Sequence, residues 1–214
     1  MKIVWQLVKK EWQYEMRQKV SFVALLLYGL ITVFLIFLLL DNVESYVWNT
    51  LYWVVLLFTV VNAIVKSFSK EYEGIMLYYY QTVGAHQFFL AKVIYHSIIT
   101  LVLGGFIFLI FHLLGNPVVQ LKYMLYSTFL GCISMAVLFS FVGALNNKAG
   151  QAGSMNIVLG FPLLIPQLLL LARVNGIALG EVVTQPNIYF LGILAYSLLI
   201  IAAGYILYPY IWRV

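Results

Sequence analysis

Histidine is the usual metal and haem-iron ligand and cysteine the strongest nucleophile, and the spacing of this chain's three histidines and one cysteine limits what they can do together. His96 and His112 stand 16 residues apart, about 24 Å along a helix and roughly 160° around it, so one metal cannot bind both. His86 and His96 read as interfacial or hydrogen-bonding residues. His112, beside Gly115, Asn116 and Pro117, reads as a histidine at an outer surface. Cys132 has no partner for a disulfide, a CxxC pair or a zinc site. No HExxH motif occurs, no Ser/His/Asp or Cys/His set is suggested by spacing, and there is no GxxxxGKS/T phosphate loop. The chain reads as no enzyme by itself, with no catalytic residue, no metal site and no means of hydrolysing nucleotide alone.

The elements that must position these residues are membrane helices. A 214-residue chain that is 64% hydrophobic and 9% charged lies far from the soluble average of roughly a quarter charged residues. Six apolar stretches approach the roughly 20 residues that cross the hydrocarbon core: 20–40, 46–65, 93–114, 123–145, 154–172 and 188–208. One transmembrane domain over 1–214, all-α and polytopic, follows. Residues 1–19 resemble a signal peptide only in their charge, since no small-residue cleavage site follows them. At 100° per residue, Met1, Trp5, Val8, Trp12 and Met16 share one side of a helix, and Lys2, Gln6, Lys9, Lys10, Gln13 and Arg17 share the other. Such a helix lies flat in the bilayer surface with its basic side toward anionic headgroups.

Charge reports orientation. With sides alternating at each span, one side holds Lys2, Lys9, Lys10, Arg17, Lys19, Lys66, Lys70, Lys92, Lys148 and Arg213, and the other only Lys122 and Arg173. Ten against two predicts that both termini are cytoplasmic. A net charge of +5, dispersed in this way, excludes a nucleic-acid partner.

Within the fourth span Thr128, Cys132, Ala136, Ser140 and Ala144 recur every fourth residue, with Gly131 and Gly143 beside them. Small residues at that spacing let helices approach closely, and packing within the subunit is favoured over an interface between subunits. Pro162 and Pro166 in the fifth span each remove a backbone donor, which predicts a broken or re-entrant helix there. The segment from Arg173 to Asn187 reads as a short exposed turn or helix. No Asp, Glu, Lys or Arg lies centrally in a span, which argues against an ion-coupled carrier or a charge-selective channel.

The longest interval between spans, Lys66 to Lys92, is the natural place for a soluble partner. Its opening part predicts a short surface helix with breaks at Gly74 and Gly84. Tyr78, Tyr79 and Tyr80 suit the headgroup level.

FSKEYEGIMLYYYQTVGAHQFFLAKVIYH, from Phe68 to His96, and PLLIPQLLLLA, from Pro162 to Ala172, resemble the haem exporter B (CcmB) family of cytochrome c maturation proteins. The likeness covers nearly the whole chain, and departs from the family's Leu-Pro-rich turn at Tyr78 to Gly84. It implies a type-2 ABC exporter fold in the bacterial inner membrane, with two copies of this subunit and two of a separate cytosolic ATPase. Other membrane partners and a periplasmic haem chaperone are implied as well. The resemblance implies haem export, or release of the haem-loaded chaperone, with haem as candidate substrate and ATP acting only through the partner subunit. Lys70, Glu71, Tyr72, Glu73, Gly74 and Met76 are the expected ATPase-coupling surface, joined by the N-terminal helix. His112 is the candidate for haem or chaperone handling. A non-transporting scaffold for a maturation complex is the alternative, and a self-contained carrier the least favoured.

Overall fold

Apolar runs of this length have one way to satisfy their backbone in lipid without strand partners, which is to become helices. The computed structural model describes residues 2–17, 19–40, 44–69, 73–115, 120–146, 154–181 and 185–212, with the backbone alone at 21, 69, 73–77, 146, 154–159 and 211. Among these residues there are eight helices and no strand: α1 (Lys2–Arg17), α2 (Lys19–Leu39), α3 (Ser45–Ser69), α4 (Glu73–Thr82), α5 (Ala85–Leu114), α6 (Leu121–Asn146), α7 (Ser154–Ala178) and α8 (Pro186–Trp212). Six of them, all but α1 and α4, are long and apolar enough to cross a membrane. α8 opens on Pro186, whose missing N–H would have no helical acceptor at that position.

α6 is the centre, packing against α3, α5, α7 and α8. Its ladder Thr128, Cys132, Ala136, Ser140 and Ala144 is buried throughout. Gly104 of α5 leaves room for Cys132, Gly131 receives the Trp53 ring of α3, and Gly143 receives Phe68. A Cβ at Gly131 would lie 2.7 Å from Trp53, tighter than side chains tolerate. α2 is mostly peripheral, touching α3 and α5 through Leu25, Ala63 and Leu103.

Three sequence expectations change. The third span opens at Ala85, not Val93, because the Lys92 charge at its expected edge is buried rather than solvated. The fifth is neither broken nor re-entrant: Pro162 and Pro166 lie inside α7, which is continuous. Each proline deletes one backbone bond, a loss that a membrane helix tolerates; separately, the Tyr196 hydroxyl donates to the Leu163 carbonyl and ties α8 to this stretch of α7. α7 also runs past Ala172 to Ala178, so Arg173 and Asn175 are helical. The turn begins only at Leu179 and Gly180, the latter exposed with a φ of 99° that favours glycine.

Candidate functional site

Among the described side chains, most of the charged ones lie at the end of the molecule that carries α1 and α4: Lys2, Lys9, Lys10, Glu11, Glu15, Arg17, Lys19, Lys66 and Lys92. Of the expected coupling residues, Lys70, Glu71 and Tyr72 lie outside the described residues. Glu73, Gly74 and Met76 fall at the start of α4. Gly74 therefore lies within a helix instead of breaking one, while Gly84 does separate α4 from α5, its N–H donating to Gln87 Oε1 at 3.4 Å.

The three tyrosines expected at the headgroup level have different surroundings, because each helical step turns a side chain by about 100°. Tyr78 is 64% exposed and Tyr79 is 3% exposed. The Tyr79 ring meets Phe88 of α5 at 5.3 Å, and Tyr80 meets Trp212 of α8 edge-on at 4.7 Å. Lys10 of α1 hydrogen-bonds the Tyr79 hydroxyl and lies 4.7 Å from the centre of its ring. α4 is thereby attached to α1, α5 and α8 through aromatic side chains.

α1 meets α5 along Val8, Ala91, Tyr95 and Ile99, with Val4 and Leu7 at the margin. Trp5 and Met16, on the apolar side expected from the sequence, remain exposed. The inward face is instead Val4, Val8, Glu11 and Glu15, so two carboxylates enter the contact. Glu11 Oε2 lies 3.5 Å from Lys92 Nζ, and the Tyr95 hydroxyl lies 3.5 Å from Glu15 Oε2, donating at the long limit of a hydrogen bond. Lys92 also donates to Ser67 Oγ at 3.4 Å and sits between the Phe68 and Phe88 rings at 5.3 and 5.7 Å. A buried cation is tolerable when anion, hydroxyl and ring faces surround it in this way.

One turn further into the membrane, His96 is fully buried, its Nδ1 2.7 Å from Ser140 Oγ of α6. The Ser140 hydroxyl gives its own hydrogen to the Ala136 carbonyl, so His96 Nδ1 carries a proton and donates it to Ser140. His96 Nε2 faces no hydrogen-bond partner among the described residues. His86 stacks on Tyr205 of α8 at 4.0 Å. His96 is hydrogen-bonded through Nδ1, whereas the buried His86 Nδ1 faces no hydrogen-bond partner among the described residues, and the geometry brings neither near His112.

His112 is exposed at the opposite end of α5, stacked on Phe108 at 5.8 Å. It borders a small depression with Trp48, Tyr52 and Phe111. Beneath it the Trp48 indole N–H donates to the Phe111 carbonyl at 3.1 Å and the Tyr52 hydroxyl to Thr128 Oγ1 at 3.0 Å. Asn175 Oδ1 accepts from Asn49 Nδ2 at 2.6 Å and from Trp53 Nε1 at 3.1 Å, joining α3 to α7. Neither this amide pair nor the Glu11–Lys92 pair was recognised from the sequence. The available signals were Glu11 and Glu15 one turn apart in a basic helix, and Asn49 inside an apolar run; Asn175, beyond the expected end of the fifth span, gave none.

The model of the family described as CcmB protein matches residues 2–205. The chain belongs to the CcmB family. No curated protein matches it. Membership makes the chain a multi-pass membrane component of the ABC transporter that serves haem handling and cytochrome c biogenesis. In this chain α4 is the short helix between the second and third spans, and it lies at the same end as α1.

Proposed function

We propose that this chain is the permease subunit through which a separate cytosolic ATPase drives the transporter, docking on residues 70–72 and the start of α4. The observation that supports it best is how α4 is held: Tyr79 and Tyr80 tie it to α1, α5 and α8. A displacement of α4 by a motor would therefore reach two spans directly, since packed interfaces move as units. Two copies acting with two ATPase subunits match the transporter class, and the basic end that carries α4 is the cytoplasmic one in this reading.

Co-purification and ATPase assays of the complex test the docking. Glu71→Lys with Glu73→Lys is expected to weaken association with the ATPase subunit and to lower its stimulated hydrolysis by tenfold or more, roughly 1.4 kcal/mol. An unchanged complex with unchanged hydrolysis removes α4 from the coupling role. Cytochrome c maturation that persists with a hydrolysis-dead ATPase would favour a scaffold.

The work done by hydrolysis, in this proposal, is haem export or release of the haem-loaded chaperone, both completed at the outer face. His112 is the imidazole exposed at that end of α5, and a neutral imidazole is a ligand for haem iron. His112→Ala is expected to lower the yield of mature c-type cytochrome while assembly with the ATPase continues. Normal maturation in that variant excludes His112.

A further inference from the structure

The acidic residues of α1 are largely withdrawn from the surface: Glu15 turns inward to Tyr95, and Glu11 reaches Lys92 through Oε2 while its Oε1 lies 3.8 Å from Lys10 Nζ. What α1 and the first residue of α2 present outward is Lys2, Lys9, Lys10, Arg17 and Lys19, all exposed. The sequence shows mixed charge here, but the folded surface is basic. Such a face attracts anionic lipid headgroups.

Between α1 and α4 runs a cleft of about 540 Å³, within the range of roughly 300–1,000 Å³ typical of ligand sites. Its walls are of two kinds. Ile3, Leu7 and Val83 are apolar, whereas Gln6, Lys10 and Thr82 carry polar groups. Lys10 is held in place by the hydroxyl and ring of Tyr79 and by Glu11 Oε1 at 3.8 Å, with half of its side chain still exposed to a further anion. Trp5 and Tyr78, on the two helices that form the cleft, are 65% and 64% exposed and are residue types of the membrane–water boundary.

We propose that this cleft seats one anionic phospholipid of the adjoining leaflet. Its phosphate lies on Lys10, with Gln6 and Thr82 as uncharged hydrogen-bonding groups, and an acyl chain follows Ile3, Leu7 and Val83. A soluble anion would leave the apolar wall unused, and a zwitterionic lipid would gain less from the exposed cations. An anionic amphiphile uses both. The lipid would also bridge α1 and α4, an attachment additional to the Tyr79 contact.

The purified full-length chain, without ATPase, is titrated in detergent with phosphatidylglycerol or phosphatidylcholine of identical chains and followed by native mass spectrometry. The first phosphatidylglycerol is expected to bind about fivefold more tightly, the effect of one well-placed cation. Lys10→Gln removes most of that preference, and so does Gln6→Glu, which leaves the Lys10–Tyr79 contact intact and repels the phosphate. Arg17→Gln, at the far end of α1, keeps it. Equal affinity for the two lipids, a preference that survives Gln6→Glu, or one that Arg17→Gln weakens as much as Lys10→Gln, overturns the site in favour of diffuse attraction. No outcome depends on ATPase docking, so failure of the lipid site and failure of the coupling reading are separate results.

Discussion

Lys92 shows how a charge changes meaning once its neighbours are known. In the sequence it closes a polar interval and marks where a span should begin. In the fold it is 3% exposed, with Glu11 as its anion and Phe68 and Phe88 as its walls. The pairing spans 81 positions, from Glu11 to Lys92, and no local pattern encodes it. Charge reversal tests it: Glu11→Lys sets two cations together and is expected to cost about 3 kcal/mol of stability. Combining it with Lys92→Glu restores the attraction and should recover a good part of the loss, measured by denaturant unfolding in detergent. A double variant no more stable than Glu11→Lys alone would show that the pair does not join α1 to α5. Ser140→Ala removes the acceptor of the His96 Nδ1 proton, and the group left buried is expected to cost about 1–3 kcal/mol in the same assay. The sequence left His96 open as an interfacial or a hydrogen-bonding residue; its full burial and its partner Ser140 were not legible, because Ser140 comes from another helix.

At the scale of elements, the six spans were readable because lipid thickness dictates their length and leaves the backbone only helical solutions. The small-residue ladder of α6 was readable for the same kind of reason, since close approach requires small side chains. What fills the space was not, because Trp53, Phe68 and Gly104 come from other helices. Gly143→Ala would set a methyl against the Phe68 ring and is expected to destabilise by about 1–3 kcal/mol. Phe68→Leu in the same chain should return part of it, whereas equal stability of Gly143→Ala and the parent would mean that α3 and α6 are not in this register. Reading α7 as broken gave local proline chemistry too much weight. Pro166→Ala is expected to alter thermal stability by no more than about 1 kcal/mol, because a helix already continuous gains only one backbone bond in return.

For the whole molecule, the orientation rests on charge: even with Lys92 buried, nine of the remaining cations stand on one side against Lys122 and Arg173 on the other. An even number of spans keeps α1, α4 and the end of α8 together, and puts His112 of α5 across the bilayer from Thr82 of α4. Chemistry already in the chain makes this testable. Cys132 is its single cysteine and is fully buried within α6, so the unaltered protein is expected to resist maleimide until unfolded. A second cysteine then reports alone. Thr82→Cys and His112→Cys each replace an exposed side chain close to the end of a helix. In intact spheroplasts a membrane-impermeant maleimide should label His112→Cys but not Thr82→Cys, and in inverted inner-membrane vesicles the order should reverse. Labelling of both from one side would remove a span from the count; reversed accessibility would turn the molecule over and place α4 beyond the reach of any cytosolic ATPase. The expected pattern puts the aromatic attachments of α4, and the basic cleft it forms with α1, on the side where ATP is available.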